Sequence, residues 1–157
     1  MPLTIRLDTR LGPSVARFLE AHLQDMRAVS PPESKHALDL DGLRAPDITF
    51  WTVHRDDALV GCGALKALDP AHGEIKSMRI DAACRGQGIG STLLEHIERE
   101  ARRRGYLRLS LETGAMDFFR PARALYARHG FTPCPPFAAY RPDPNSVFLT
   151  KSLADTP

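Results

Sequence analysis

Three glycines stand at every second position in "CRGQGIGSTLLEHI", residues 84–97, behind an arginine and ahead of a helical apolar pattern. Gly86, Gly88 and Gly90 carry no functional side chain; what they offer is bare backbone, with no Cβ to keep a ligand away. The first turn of a helix presents N–H groups without intrahelical partners and a partial positive charge. A glycine loop running into such a turn suits a phosphate, and Arg85 adds a charge-assisted contact. The competing reading is a turn that merely packs a helix on a sheet.

Spacing decides which phosphate. A nucleotide-binding P-loop needs Gly-Lys-Ser/Thr, and here Ser91 follows Gly90 with no lysine. A dinucleotide fingerprint needs Gly-x-Gly-x-x-Gly, and Leu93 stands where a third glycine would follow Gly88 and Gly90. Both readings are disfavoured, and the pattern that remains is Arg85-x-x-Gly88-x-Gly90. Cys84 adjoins the loop, but no histidine partner for a nucleophile is identifiable from spacing. Cys62 and Cys134 read as small apolar residues. The six histidines and three cysteines show no metal-ligand spacing, so no metal is expected.

The elements that must position this loop follow from periodicity. "LTIRLD" alternates as a first strand. "PSVARFLEAHLQDMRAV" places Val15, Phe18, Leu19, His22, Leu23 and Met26 on one helical face. "SPPESKHALDLDGLRAPD" reads as a long loop with one short helical turn, of the kind that binds ligands. "ITFWTVHRDDALVGCGALKAL" is a hairpin turning at Arg55-Asp56-Asp57. "GEIKSMRID" is the strand before the loop; regular alternation puts Glu74, Lys76, Met78 and Ile80 on one face. Residues 91–104 form a helix with Leu93, Leu94, Ile97 and Ala101 inward. Its pairs Glu95–Arg99, Glu98–Arg102 and Glu100–Arg104 are expected outside, and Gly105 ends it. "YLRLSLET" is a strand, "PARALYARHG" a helix between Pro121 and Gly130, and "SVFLTKSL" a last strand. The order predicts one mixed α/β domain over 1–157, with strand–helix–strand crossovers late in the chain.

Composition bounds the function. The 157 residues suffice for one real core. A net charge of +2 does not propose nucleic acid as a partner. No apolar run reaches membrane-spanning length, and "MPLTIRLDTR" has no apolar signal region, so a cytoplasmic protein without a secretory leader is expected. Three widely spaced cysteines read as reduced thiols. Oligomeric state is open, with a homodimer one possibility.

Four segments together resemble the GNAT family of acyl-CoA-dependent N-acetyltransferases. They are the Arg85-x-x-Gly88-x-Gly90 loop, "EIKSMRI" before it, "STLLEHIEREARRRG" after it, and "ALYARHGF" at 124–131. The tail "CPPFAAYRPDPNSVFLTKSL" is similar to that of a subgroup of small bacterial acetyltransferases. One departure is Phe119, seven residues before Tyr126, where many members carry asparagine.

The resemblance implies an α/β GNAT fold: a mixed, mostly antiparallel central sheet with a splayed parallel pair, flanked by helices. It implies acetyl-CoA as co-substrate, its pyrophosphate held by Arg85, Gly86, Gln87, Gly88, Ile89, Gly90 and Ser91. Met78, Arg79 and Ile80 of the splayed strand face the thioester, and Arg128 reaches the 3′-phosphate. Glu74 matches the position of a glutamate that takes the amine proton; the competing reading is a surface pair with Lys76. Tyr126 matches the tyrosine near the cofactor sulfur. A phenol of reference pKa about 10 can protonate a thiolate of reference pKa about 8.5; the competing reading is a core tyrosine beside Leu125. The expected reaction is direct acetyl transfer to a primary amine of a small molecule or peptide; the alternative is a non-catalytic CoA-binding sensor or scaffold. Loops 28–47 and 132–146 are expected to choose the acceptor, with Arg27 and His36 as candidates for binding it.

Overall fold

The computed structural model describes residues 2–29 and 40–154, with backbone only at 22, 23, 25–29, 40 and 41. Strand β1 (Leu3–Leu7) leads into helix α1 (Pro13–Val29), a short turn of helix α2 (Leu40–Leu43), and strands β2 (Ile48–Arg55), β3 (Ala58–Asp69) and β4 (His72–Ile80). Helix α3 (Ile89–Arg103), strand β5 (Arg108–Gly114), helix α4 (Arg120–Arg128), a two-residue strand β6 (Thr132–Pro133) and strand β7 (Ser146–Ser152) complete the chain. Single 3₁₀ turns at Ala82–Cys84 and Asp117–Phe119 lead into α3 and α4.

The seven strands form one sheet in the order β1-β2-β3-β4-β5-β7-β6. β4 and β5 pair in parallel, and the other described pairs are antiparallel. This is the expected α/β architecture. The expected element order holds, with β6 added; two residues are too few to show a period. The predicted hairpin turns on Asp56, whose φ of 54° lies in the left-handed region that aspartate tolerates.

The core occupies both faces of the sheet. On one face α3 buries Ile89, Leu93, Leu94, Ile97 and Ala101 against Trp51, Val53, Leu65, Ile75, Leu109 and Leu111. On the other, α1 brings Val15 and Leu19 onto Phe50, Cys62 and Ala64. The segment after β6 covers a further part of that second face, over β7 and the start of β4. There Phe137 packs 6.0 Å from Phe148, and Tyr140 5.5 Å from it.

Two expectations change. α3 starts at Ile89 rather than 91, because Gly88 already serves as its N-cap. Glu98 does not lie outside: it is 6% exposed, and Lys151 Nζ donates to both its carboxylate oxygens at 3.0 Å. Arg102, its i+4 partner, is farther away at 3.7 Å. The periodicity of one helix cannot show that β7 delivers a cation to it.

Candidate active site

The site begins where two strands part. β4 pairs with β5 only from His72↔Arg108 to Ile75↔Leu111. β5 stays on its other neighbour, β7, as far as Gly114↔Ser146. β4 instead follows β3 to Gly61↔Ile80. Residues 76–80 therefore have a strand on one edge only, and the gap on the other edge is a cleft of about 450 Å³.

A bulge marks the parting point. Cys62 pairs with Arg79 and Ala64 with Lys76, so Gly63 faces two residues, Ser77 and Met78. Ser77 has φ 57°, a left-handed conformation that costs an L-residue roughly 1–2 kcal/mol. The Cys62 thiol donates to its carbonyl oxygen at 3.3 Å. The bulge overturns the expected single face. Glu74 and Lys76 point to the α1 side of the sheet, whereas Met78 and Ile80 pack with the α3-side core. Arg79 is turned to the α1 side, its guanidinium 5.4 Å from the Phe18 ring centroid. The extra residue was invisible to a period-2 count.

The glycine loop forms one wall. Gly86 and Gly88 have φ of 80° and 81°, and a Cβ on either would meet nothing within 4 Å. These positions are glycine for backbone conformation and open approach, not for internal packing. Gly90 is a close-contact position: a Cβ there would lie 2.9 Å from Leu125 of α4. The Thr92 N–H donates to the Gly88 carbonyl at 3.1 Å, so the N–H groups of Ile89, Gly90 and Ser91 precede the first N–H that has an intrahelical acceptor. Ser91 Oγ shares a 3.0 Å hydrogen bond with His129 Nε2, which joins the loop to the end of α4.

Arg85, Gly86, Gly88, Ile89, Gly90 and Ser91 all line the cleft, with Cys84 beside them. Gln87 is not among the lining residues; its side-chain oxygen accepts a hydrogen bond from Arg55 on the hairpin. Met78, Arg79, Ile80 and Arg128 also line it, Arg128 exposed on α4.

Tyr126 lines the same cleft while only 7% exposed. Its ring meets Phe131 edge-on at 5.8 Å, so the residue is at once core and cleft wall. Burial pushes its phenol well above the ordinary value, and the hydroxyl keeps its proton. Phe119 lines the cleft from the other side and presses on Gly114, where a Cβ would come within 2.0 Å of the ring. An apolar ring thus stands where asparagine is common.

Glu74 is 2% exposed and opens into the cleft. Its Oε2 accepts from Lys76 Nζ at 3.1 Å and from the Tyr140 hydroxyl at 2.5 Å. The pair with Lys76 exists, but buried rather than on the surface. Sequence reasoning missed Tyr140: "AAYRPDPN" lies in a proline-rich connector, and nothing in its spacing ties it to β4. His129 was missed as a partner of the loop, although it sits inside the quoted "ALYARHGF". The Arg27 side chain and the whole of His36 lie outside the described residues.

The acetyltransferase (GNAT) family model matches residues 15–131. An uncharacterized N-acetyltransferase, YsnE of Bacillus subtilis (strain 168), is 54% identical over 95% of this chain and 99% of its own. The crystal structure of a putative acyl-CoA N-acyltransferase from Klebsiella pneumoniae subsp. pneumoniae MGH 78578 is 31% identical. It superposes with a TM-score of 0.76 over 96% of this chain and 97% of that one. An N-acetyltransferase of Thermoplasma acidophilum, solved in complex with coenzyme A, shares the fold at 20% identity, with a TM-score of 0.74 over 97% and 99% of the two chains. With the parted strands, the glycine loop and the second motif on α4 agreeing, the chain belongs to the GNAT acetyltransferase family.

Proposed function

We propose that the protein transfers the acetyl group of acetyl-CoA directly to a primary amine of a small molecule or peptide, with Glu74 as base and Tyr126 as acid. One observation carries the reading. Ile89, Gly90 and Ser91 at the start of α3, the buried Glu74 and the buried Tyr126 all line a single cleft between β4 and β5.

The residues present fit acetyl-CoA. Backbone N–H groups over 86–91 hold a pyrophosphate, since Gly86 and Gly88 bring no side chain into its path and the helix start favours negative charge. Arg85 and Arg128 supply cations at the rim. Acetyl-CoA brings an activated acyl group on a thiol leaving group. Residues 78–80 offer backbone N–H on the open edge of β4 to the carbonyl oxygen, whose negative charge grows during attack. Glu74 removes the proton from the acceptor ammonium, which frees the nitrogen lone pair to form the new bond to carbon. As the carbon–sulfur bond breaks, Tyr126 donates its proton to the sulfur; the nitrogen sheds its second proton, which restores Tyr126, and the proton held by Glu74 is the one released to solvent. We place Arg27 and His36 on the acceptor wall, because the segment that holds them runs from the end of α1 and is rich in hydrogen-bonding side chains.

The test is purified protein with acetyl-CoA and a panel of amines, following thiol release. The panel holds a polyamine, an amino acid, an aminoglycoside and a short peptide with a free N terminus. Intersecting initial-rate patterns are expected, and Glu74→Gln should lower kcat by about 10²–10⁴-fold. A ping-pong pattern with acetyl trapped on Cys84 would overturn direct transfer. Near-parental kcat in Glu74→Gln would remove Glu74 from the chemistry. Unchanged acceptor KM in both Arg27→Ala and His36→Ala would move the acceptor wall elsewhere.

A further inference from the structure

The segment that covers the sheet beyond α1 does more than cover it. From Cys134 to Asn145 the chain leaves β6 and crosses the face formed by β4, β5 and β7. It is pinned by the Cys134 N–H to the Phe148 carbonyl at 2.9 Å and by the Ala115 N–H to the Asn145 carbonyl at 3.0 Å. A turn at its centre, closed by the Tyr140 N–H to the Phe137 carbonyl at 3.0 Å, sets two aromatic rings edge to face, 5.1 Å apart. Both rings rest on Phe148 of β7. The Tyr140 hydroxyl is thereby fixed against the carboxylate of Glu74.

The contact is a closed triangle. Tyr140 donates to Glu74 Oε2 at 2.5 Å, Lys76 Nζ donates to the same oxygen at 3.1 Å, and Lys76 Nζ donates to the Tyr140 oxygen at 2.8 Å. Lys76 also lies 5.4 Å from the Tyr140 ring centroid. Its side chain is 9% exposed and that of Glu74 3%. A buried carboxylate without such donors would be costly to keep charged and free to rotate away.

Other groups face it too. Lys66 of β3 is its register partner, Ser110 of β5 lies opposite, His72 stands two residues before it on β4, and Glu112 follows on β5. His72 Nε2 and Ser110 Oγ share a hydrogen bond at 2.7 Å, and Glu112 accepts from Ser146 at 2.7 Å. The direct donors to Glu74 come from Tyr140 and Lys76.

We propose that Tyr140 and Lys76 are positioning residues that hold Glu74 ionised and aimed into the cleft, making segment 134–145 a working part of the active site. The inference rests on the reading of Glu74 as base. Its chemistry is that of two donors on a carboxylate: they favour the charged form and fix one oxygen, leaving the group oriented for the incoming ammonium. Burial, with the Glu74 charge beside it, pushes the Tyr140 phenol well above its ordinary value, so it remains a donor across the working range.

The test compares the full-length parent with Tyr140→Phe, which keeps the ring on Phe137 and Phe148 but removes the donor. Lys76→Gln, which keeps a polar group but removes the charge, is the second variant. Glutamate is labelled with ¹³C at the side-chain carboxyl, and the Glu74 signal is identified by its loss in Glu74→Gln. In both variants the Glu74 carboxyl should protonate at higher pH than in the parent, because a donor to the charged form is gone. With the best amine of the panel, kcat should fall about tenfold, with the acidic limb of the pH–rate profile moved the same way and the acetyl-CoA KM unchanged. A Glu74 titration and acidic limb identical to the parent in Tyr140→Phe would overturn the proposal. The two readings fail separately: an active Glu74→Gln removes the base, whereas an inactive Glu74→Gln beside an unshifted, fully active Tyr140→Phe removes only the role of Tyr140.

Discussion

The Cys62 thiol holds the Ser77 carbonyl from the neighbouring strand at 3.3 Å, so the kink that opens the cleft is tied at its own bulge. Cys62 is wholly buried, and burial raises its thiol from 9.0 to about 12. Two outcomes follow. Iodoacetamide should leave Cys62 unmodified in the native protein, read by mass spectrometry of its peptides, whereas denatured protein is modified there. Stability should also fall at alkaline pH. The neutral thiol is favoured in the fold, so its contribution is complete below about pH 9 and is lost between about pH 9 and 12, where only the unfolded chain gives up the proton. The slope is at most about 1.4 kcal/mol per pH unit for one proton. Urea unfolding of parent and Cys62→Ala across that range should show a shallower decline in the variant. Equal slopes would mean that the thiol titrates alike in both states.

Gly88→Ala isolates the loop. At φ 81° an alanine costs about 1–2 kcal/mol of backbone strain, and its methyl projects into open space rather than into the protein. Gly88→Val adds bulk in the same direction. Both should remain folded with a modest loss of thermal stability, and both should bind CoA far more weakly in calorimetric titration, the valine variant more so. CoA affinity equal to the parent in folded Gly88→Val would show that the phosphate does not approach that backbone.

Much of this was legible in advance because it depends on local rules. The apolar stripe of α3 gave Leu93, Leu94, Ile97 and Ala101 of its buried face, and the glycine spacing with Arg85 located one wall of the cleft. What escaped depends on residues far apart in the chain. The Ser77 bulge is one inserted residue, which a period-2 pattern cannot reveal but which turns Met78 away from Glu74. Tyr140 reaches Glu74 across 66 positions, and Lys151 reaches Glu98 across 53. Contacts between elements leave no periodic trace in either. Gln87 fell inside the motif yet faces Arg55, because alternating glycines give the loop no fixed side-chain direction.

The Glu98–Lys151 pair ties α3, which carries the glycine loop at its start, to β7. Lys151 is partly exposed, at 21% of its side chain, so the contribution is smaller than for a fully buried pair. Lys151→Met leaves the buried Glu98 carboxylate with only the distant Arg102, and should cost about 2 kcal/mol in urea unfolding, below the 3–5 kcal/mol typical of a fully buried broken pair. Adding Glu98→Gln removes the uncompensated charge and should recover part of that loss. A double variant as unstable as the sum of its parts would show that the two residues do not act as a pair.

Tyr126 faces a tension that decides its role. Burial raises the phenol, which makes it a weaker acid than free tyrosine but keeps it protonated and able to donate. A charge-assisted hydrogen bond from it to a departing thiolate is strengthened by the low dielectric around a side chain only 7% exposed. Tyr126→Phe keeps the ring against Phe131 and removes the donor. The fold and CoA affinity should hold within a few-fold, while the chemical step slows by about 10²–10⁴-fold, or about 3–5 kcal/mol of barrier. Single-turnover mixing of enzyme, acetyl-CoA and amine separates that step from product release. The loss should shrink for acyl donors whose leaving thiol is more acidic, since these need less help to depart. A uniform loss across donors of different leaving-group acidity would assign Tyr126 to packing of the cleft wall, and an unchanged single-turnover rate would leave the thiolate to another donor.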